Sequence, residues 1–407
     1  MSGQRINVWG SYLGAFLVFA SICLPPVTLT PNTPSVHVLD FLLPIIVCFI
    51  VWKKTWESMR FYLWIPFVIS GYVVLTIFLN FKNVASNDYF EVYKWLKYGC
   101  AFLFFTHIDF SILKRTIPML FFIICVINIL HFLEFPGLNQ LLEKYYNGGL
   151  QIQFFGKDSQ GGPAVKRLIG TMGNPNINAI MFGIFSIFYF PLRFERNRLA
   201  MYFLCILFVF LCQSRTALLV VIAMFSYVAC VHSNIWTKKQ WFVMLSGLTA
   251  AFLLAWMFST SFFQYNSYNN SLMDGTILES GSARGRFETW KLLGEMILQN
   301  PLFGHGPYKH YFYQHHLYSE NEYILMMWRY GLIGLGLYLS IFIIPFKKLW
   351  KRNCERSIKG SLLILLMLVS ALTNNPFTER NIEVLFCVGL AWVIGTEFMK
   401  GKTHAEV

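Results

Sequence analysis

Arg215 stands between two apolar stretches, 201–212 and 217–231, at the short polar turn Gln213-Ser214-Arg215. A guanidinium there can snorkel to lipid phosphate. It can also grip a substrate's diphosphate with two parallel hydrogen bonds, which Arg does better than Lys. Arg284 and Arg286 lie at the N-terminal end of 285–299, where Phe287, Trp290, Leu293 and Ile297 recur at helical spacing opposite Glu288, Lys291 and Glu295. Asn300-Pro301 stops that surface helix, and Gly304 and Gly306 loosen the chain beyond it. Arginines at a helix start gain nothing from its dipole, which favours anions there. A phosphate at that end would be held by the arginines and the free amides together. Further on, the run from His315 to Tyr323 brings in His316, Glu320 and Glu322. Glu320 is a candidate general base or a cap for the next helix, and His316 is the rival base. Arginines beside such a base suit one reaction class: they neutralise a departing diphosphate while the base deprotonates an incoming hydroxyl.

Other chemistries find little support. The chain has no Asp-x-Asp pair, and the adjacent His315 and His316 point different ways, so no metal site is expected. No glycine-rich nucleotide loop follows a strand, and no cofactor is expected. The nine cysteines show neither metal nor redox spacing and read as small packing residues.

The elements that position these residues are membrane helices. Of the 407 residues 56% are hydrophobic and 13% charged, about half the charged share of an ordinary soluble domain. Twelve apolar runs near the span length stand out: 9–29, 36–52, 61–80, 90–108, 116–135, 177–192, 199–214, 216–231, 241–259, 323–345, 359–373 and 382–399. The expected fold is therefore an all-α integral membrane protein, one polytopic body over 1–407 with about 12 transmembrane helices. The first run is read as a retained span. With the N-terminus inside, every short inner loop is basic: Lys53, Lys54 and Arg60; Lys114 and Arg115; Arg193, Arg196 and Arg198; Lys238 and Lys239; and Lys347, Lys348, Lys351, Arg352, Arg356 and Lys359. The net charge of +13 is then mostly topology, and no nucleic-acid partner is expected. Both termini fall in the cytoplasm. Two extracytoplasmic loops result, 135–176 and the larger 260–322 between spans nine and ten. Arg329, inside span ten, is expected to pair with Glu322 or Glu383.

At these residues the chain resembles the O-antigen polymerase and O-antigen ligase family of bacterial envelope glycosyltransferases. The resemblance covers about 165–340 and is carried by five features: Ser214-Arg215; the Arg286-to-Trp290 stretch; Asn300-Pro301-Leu302-Phe303-Gly304; Glu320-Asn321 before Tyr330-Gly331-Leu332-Ile333-Gly334-Leu335; and Gly173-Asn174-Pro175-Asn176. It implies that Arg215 and Arg286 hold the diphosphate of a polyprenyl-linked oligosaccharide without metal. Arg284, Arg167, Asn174, Asn176, Asn321, Tyr323 and Trp290 would contact substrate. It further implies a bacterial cytoplasmic (inner) membrane location, a site on the outer face, membrane lipid around it, and chain-length regulators or flippases as partners. Ligases place His directly before the Asn that stands here as Asn321; this chain has Glu320 there. That departure points to a polymerase, with a ligase-type transferase as the alternative. A flippase or transporter of the same lipid-linked glycans is a further alternative, though the chain shows no internal repeat and concentrates its polar residues in the outer loops. A purely structural protein would leave the arginines without a reason.

The topology is testable by cysteine labelling in a Cys354→Ser background. Impermeant reagent should modify a cysteine placed near position 270 and spare one placed within 346–358. The reverse pattern would sink the twelve-span arrangement.

Overall fold

A computed structural model describes residues 2–27, 35–54, 63–133, 135–146, 167–192, 194–261, 281–350 and 352–403. Parts of the two expected outer loops, 147–166 and 262–280, lie outside the described residues. The described residues are helical, with one isolated antiparallel bridge between Val27 and Val36. In chain order the helices are α1 (Ser2–Cys23), α2 (Val38–Trp52), α3 (Ile65–Leu79), α4 (Tyr89–Thr106), α5 (Phe110–Phe132), α6 (Leu138–Tyr145), α7 (Pro175–Phe188) and α8 (Arg196–Leu211). They continue with α9 (Arg215–Val231), α10 (Lys238–Ser261), α11 (Gly281–Gln299), α12 (Lys309–Gln314), α13 (Glu322–Leu349), α14 (Glu355–Ser370) and α15 (Arg380–Thr403).

Each of the twelve apolar runs overlaps one helix. Among the described residues, Phe110–Phe132, Lys238–Met257 and Glu322–Leu349 are long and apolar enough to cross a membrane; several other apolar helices are shorter. Phe78, Phe122 and Phe242 point outward, each about two-thirds exposed, as a lipid-facing surface requires and a soluble one avoids. Inside, α4 packs against α2, α3 and α15, α7 against α8 and α14, and α9 against α14. α11 starts at Gly281, four residues before the stretch expected from its apolar spacing, because Ser282, Ala283 and Arg284 continue the turn without a break. Arg284 and Arg286 thus lie within the first two turns of this helix.

α13 is two helices joined at a kink. Gly331 breaks it with φ 64° and ψ −168°. A break in a spanning helix frees backbone groups that lipid cannot satisfy. Here the segment after α11 and a tyrosine of α3 satisfy several of them. The His305 amide donates to the Trp328 carbonyl at 3.0 Å and the Gly306 amide to the Arg329 carbonyl at 2.8 Å. On the other side of the break, the Leu332 amide donates to the Pro301 carbonyl at 2.9 Å. The Tyr72 hydroxyl, from α3, donates to the Tyr330 carbonyl at 2.9 Å. The backbones meet so closely that a Cβ on Gly304 would lie 2.5 Å from the Arg329 carbonyl, and one on Gly331 would lie 2.2 Å from the Leu302 oxygen. Both glycines have positive φ as well.

A second apolar cluster, apart from the main core, joins α11 to the N-terminal half of α13. It comprises Leu293, Ile297, Phe312, Leu317, Leu325 and Trp328.

Gly331→Ala should therefore lower stability by about 2 kcal/mol or more, from left-handed strain plus overlap with backbone. Gly336→Ala, which meets nothing within 4 Å, is the control and should hold or raise the melting temperature. A thermal-shift measurement on detergent-solubilised protein checks both; equal melting temperatures would contradict the packing at the break.

Candidate functional site

Arg215 is the first residue of α9, whose cap is the Ser214 hydroxyl accepting from the Ala217 amide. The next residue, Thr216, is buried and leads out of the helix. Its hydroxyl bonds to that of Thr373 and accepts from the Asn374 amide nitrogen at 2.8 Å. Thr373 and Asn374 belong to the turn 371–379 after α14. The same turn reaches α13: Asn321 Nδ2 donates to the Leu372 carbonyl at 2.9 Å, the Glu322 amide donates to the Ala371 carbonyl at 2.9 Å, and the Phe377 amide donates to the Glu322 carboxylate at 3.1 Å. Glu320 precedes that anchor by one residue, and its carboxylate forms an ion pair with Arg286 of α11. Arg215, the 371–374 turn, Glu320 and Arg286 are thus joined through a few side chains at one end of the bundle.

Asn321 is the cap of α13, accepting from the Ile324 amide at 3.1 Å. Glu320 is not the cap, and its carboxylate is left for Arg286. Trp290, one turn beyond Arg286, donates its indole N–H to the Ser319 carbonyl. The Tyr323 hydroxyl donates to the Leu368 carbonyl at 2.6 Å. Arg284 pairs instead with Glu288 at 3.3 Å, both side chains largely exposed. His316 is exposed with φ 52°, and its ring lies 6.2 Å from that of Tyr318.

Arg167 borders the Arg215 turn. Its Nε donates to the Cys212 carbonyl at 2.9 Å and its Nη2 to Asn176 at 3.0 Å. Asn174 caps α7 by accepting from the Asn176 amide at 2.8 Å. Of the residues expected to contact substrate, Arg167, Asn174, Asn321, Tyr323 and Trp290 each hydrogen-bond to backbone at this end, and Asn176 accepts from Arg167.

A buried carboxylate lies beneath α12 and α13. Glu91 of α4 is 3.0 Å from Lys94, 2.9 Å from Lys309 and 3.9 Å from Arg329, and accepts from the Tyr330 hydroxyl at 3.4 Å. Arg329 was expected to pair with Glu322 or Glu383; its ion pair is with Glu91. The reason is the break at Gly331 and the docking of 301–306, which set this half of α13 against α3 and α4. Lys309 opens α12, and its backbone amide donates to Asp88 at 2.8 Å. Burial pulls the Lys309 ammonium below the ordinary lysine range, with Glu91 opposing the shift. The spacing of charges could not reveal Glu91, Lys309 or the 371–379 turn as a set. The available signal was a carboxylate inside an apolar run and the polar run Thr373-Asn374-Asn375.

Elsewhere, a cavity of about 420 Å³ lined by His232, Ser233, Asn234, Asn353 and Glu355 lies at the opposite ends of α13 and α14. Among the described residues no group of three or more His, Cys, Asp or Glu could hold a metal ion.

A family model described as O-antigen ligase matches residues 200–339. The matched segment contains Arg215, Arg286, Glu320 and the break at Gly331, and its similarity supports a role in membrane glycan transfer of the O-antigen ligase and polymerase type. No curated protein matches the chain.

Removing Glu91 would leave three buried cations without their shared counter-charge. Breaking buried pairs in this way costs about 3–5 kcal/mol. Glu91→Gln should therefore lower the melting temperature strongly, while Glu288→Gln, on an exposed pair, should leave it unchanged. Equal effects would show that the buried cluster is not an anchor.

Proposed function

We propose that this protein is a polymerase of polysaccharide repeat units, such as those of O-antigen, capsule or exopolysaccharide, working at the outer face of the bacterial cytoplasmic membrane. It transfers a glycan from undecaprenyl diphosphate to a sugar hydroxyl of a second lipid-linked unit. The observation that carries this reading is that the 371–374 turn bonds both to Thr216, the neighbour of Arg215, and to Asn321, the neighbour of Glu320, while Glu320 pairs with Arg286. Two guanidinium groups and one carboxylate at one end of an apolar bundle suit a diphosphate leaving group and a hydroxyl nucleophile.

In this mechanism the acceptor hydroxyl oxygen attacks the anomeric carbon as the bond from that carbon to the diphosphate oxygen breaks. The electron pair leaves with the diphosphate, and Arg215 and Arg286 neutralise its charge. The hydroxyl proton passes to Glu320 and from there to water. The guanidiniums supply the positive charge that other glycosyltransferases draw from a divalent cation. Glu320 standing directly before Asn321, where ligases carry His, favours a second lipid-linked unit as the acceptor.

The test uses membranes containing the protein and a lipid-linked repeat unit, scoring glycan length against protein level. Arg215→Lys keeps the charge but loses the fork, and should reduce extension by about 10- to 100-fold, the worth of one lost charge-assisted bond. Normal extension would make Arg215 an interface anchor. Glu320→Gln should leave glycan at monomer length, since a general base contributes about 10²–10⁴-fold. Full-length polymer from Glu320→Gln with none from His316→Ala would move the base to His316.

A further inference from the structure

Glu320 occupies the cation that the proposed reaction assigns to the diphosphate. Its carboxylate is in ion-pair contact with Arg286 through a buried oxygen, although the Glu320 side chain as a whole is 45% exposed. Arg286 is the more enclosed partner, 24% exposed. Its Nε is buried and makes no hydrogen bond among the described residues. One edge of the fork is therefore only half used, and a guanidinium can bind two oxygens of one anion side by side. Two oxygens of one phosphate can take up that edge side by side.

The backbone around Glu320 is fixed on both sides. Ser319 is held by the Trp290 indole through its carbonyl, and its own hydroxyl donates to the Asn321 carbonyl at 3.0 Å. Asn321 is held by the Leu372 carbonyl. Glu320 itself has φ 44°, a left-handed conformation that non-glycine residues adopt at a cost. The bonds on both neighbours hold the backbone, so release of Arg286 requires only a rotation of the Glu320 side chain. The loop is built to hold one side chain on Arg286 and to let that side chain go.

We propose that Glu320 is a resident anion that closes the diphosphate seat on Arg286, and that the incoming polyprenyl diphosphate displaces it. This rests on the reading of Arg286 as a diphosphate ligand. Displacement frees the Glu320 carboxylate beside the bound donor, where it can accept the acceptor's proton. The base is thus uncovered only when a donor is present, and the reaction becomes ordered, donor first. An empty site with a capped arginine also holds free phosphate anions less tightly.

The experiment measures calorimetric binding of inorganic pyrophosphate to full-length detergent-solubilised protein at fixed salt. It compares the wild type with Glu320→Gln and Arg286→Gln, each checked for monodispersity. Removing the competing carboxylate should tighten pyrophosphate binding about two- to fivefold in Glu320→Gln, the worth of a partly exposed ion pair. Arg286→Gln should bind much more weakly. Unchanged or weaker binding by Glu320→Gln, with binding lost in Arg286→Gln, overturns the displacement and leaves Arg286 as a phosphate ligand. Weaker binding specifically means that Glu320 orients the arginine. Binding by Arg286→Gln equal to wild type, or no binding by any of the three, overturns the ligand reading and the displacement together. Loss of polymer in Glu320→Gln alongside tighter pyrophosphate binding would fit no purely structural role for this residue.

Discussion

Interrupting a helix in an apolar surrounding is tolerable only if every freed amide and carbonyl finds a partner, and much of this molecule depends on how that is done at Gly331. The filler is a stretch of backbone, 301–306, that supplies amides to the Trp328 and Arg329 carbonyls and a carbonyl to the Leu332 amide. Because the filler is the direct continuation of α11, the position of that helix is set by the break. So are the places of Arg286 and Trp290 on it. The break also frees the N-terminal half of α13 to take a course of its own, with Leu325 and Trp328 in a separate apolar cluster and Asn321 at its cap. One pair of glycines in contact thereby fixes three elements of the candidate site.

The charges obey the same logic. Arg329 would be hard to accommodate on an unbroken apolar helix. Turned toward α4, it shares Glu91 with Lys94 and Lys309. Burying ions is expensive, and such clusters add less to stability than their attraction suggests. They do discriminate strongly against wrong arrangements, because a displaced partner leaves an unmatched charge in apolar surroundings. Glu91 lies outside the segment similar to the O-antigen ligase family, yet Lys309 and Arg329 lie within it. The first half of the chain is thereby fitted to the second by charge as well as by shape.

The helices are largely legible in the sequence because their signal is local: each of the twelve apolar runs falls on a helix. Individual motifs are legible too, since Asn-Pro and the glycines mark breaks whatever surrounds them. The contacts that join them are not. Nothing in the spacing of Gly304 and Gly331 tells that they touch, and nothing near Arg329 names Glu91, more than two hundred residues away. α11 begins earlier than its apolar spacing indicates because that periodicity reports only the packed face and Gly281-Ser282-Ala283 carry no large apolar residue. Asn174, Asn176 and Asn321 have the types that bind sugars, but the same amides also make good caps and braces. Only neighbours decide between those uses, and the 371–379 turn that provides the neighbours for Asn321 has no chemically loud residue of its own.

The order in which the chain is made gives the charged cluster another meaning. Glu91 and Lys94 are synthesised with the fourth helix, more than two hundred residues before Arg329. When the helix bearing that arginine is made, its counter-ion has already been translated. The segment 301–306, which completes the interrupted helix, also emerges before it. Each part needed to make a broken, charged helix acceptable to lipid therefore precedes it off the ribosome. Translation order leaves no stage at which that arginine or those carbonyls await a partner still to be made.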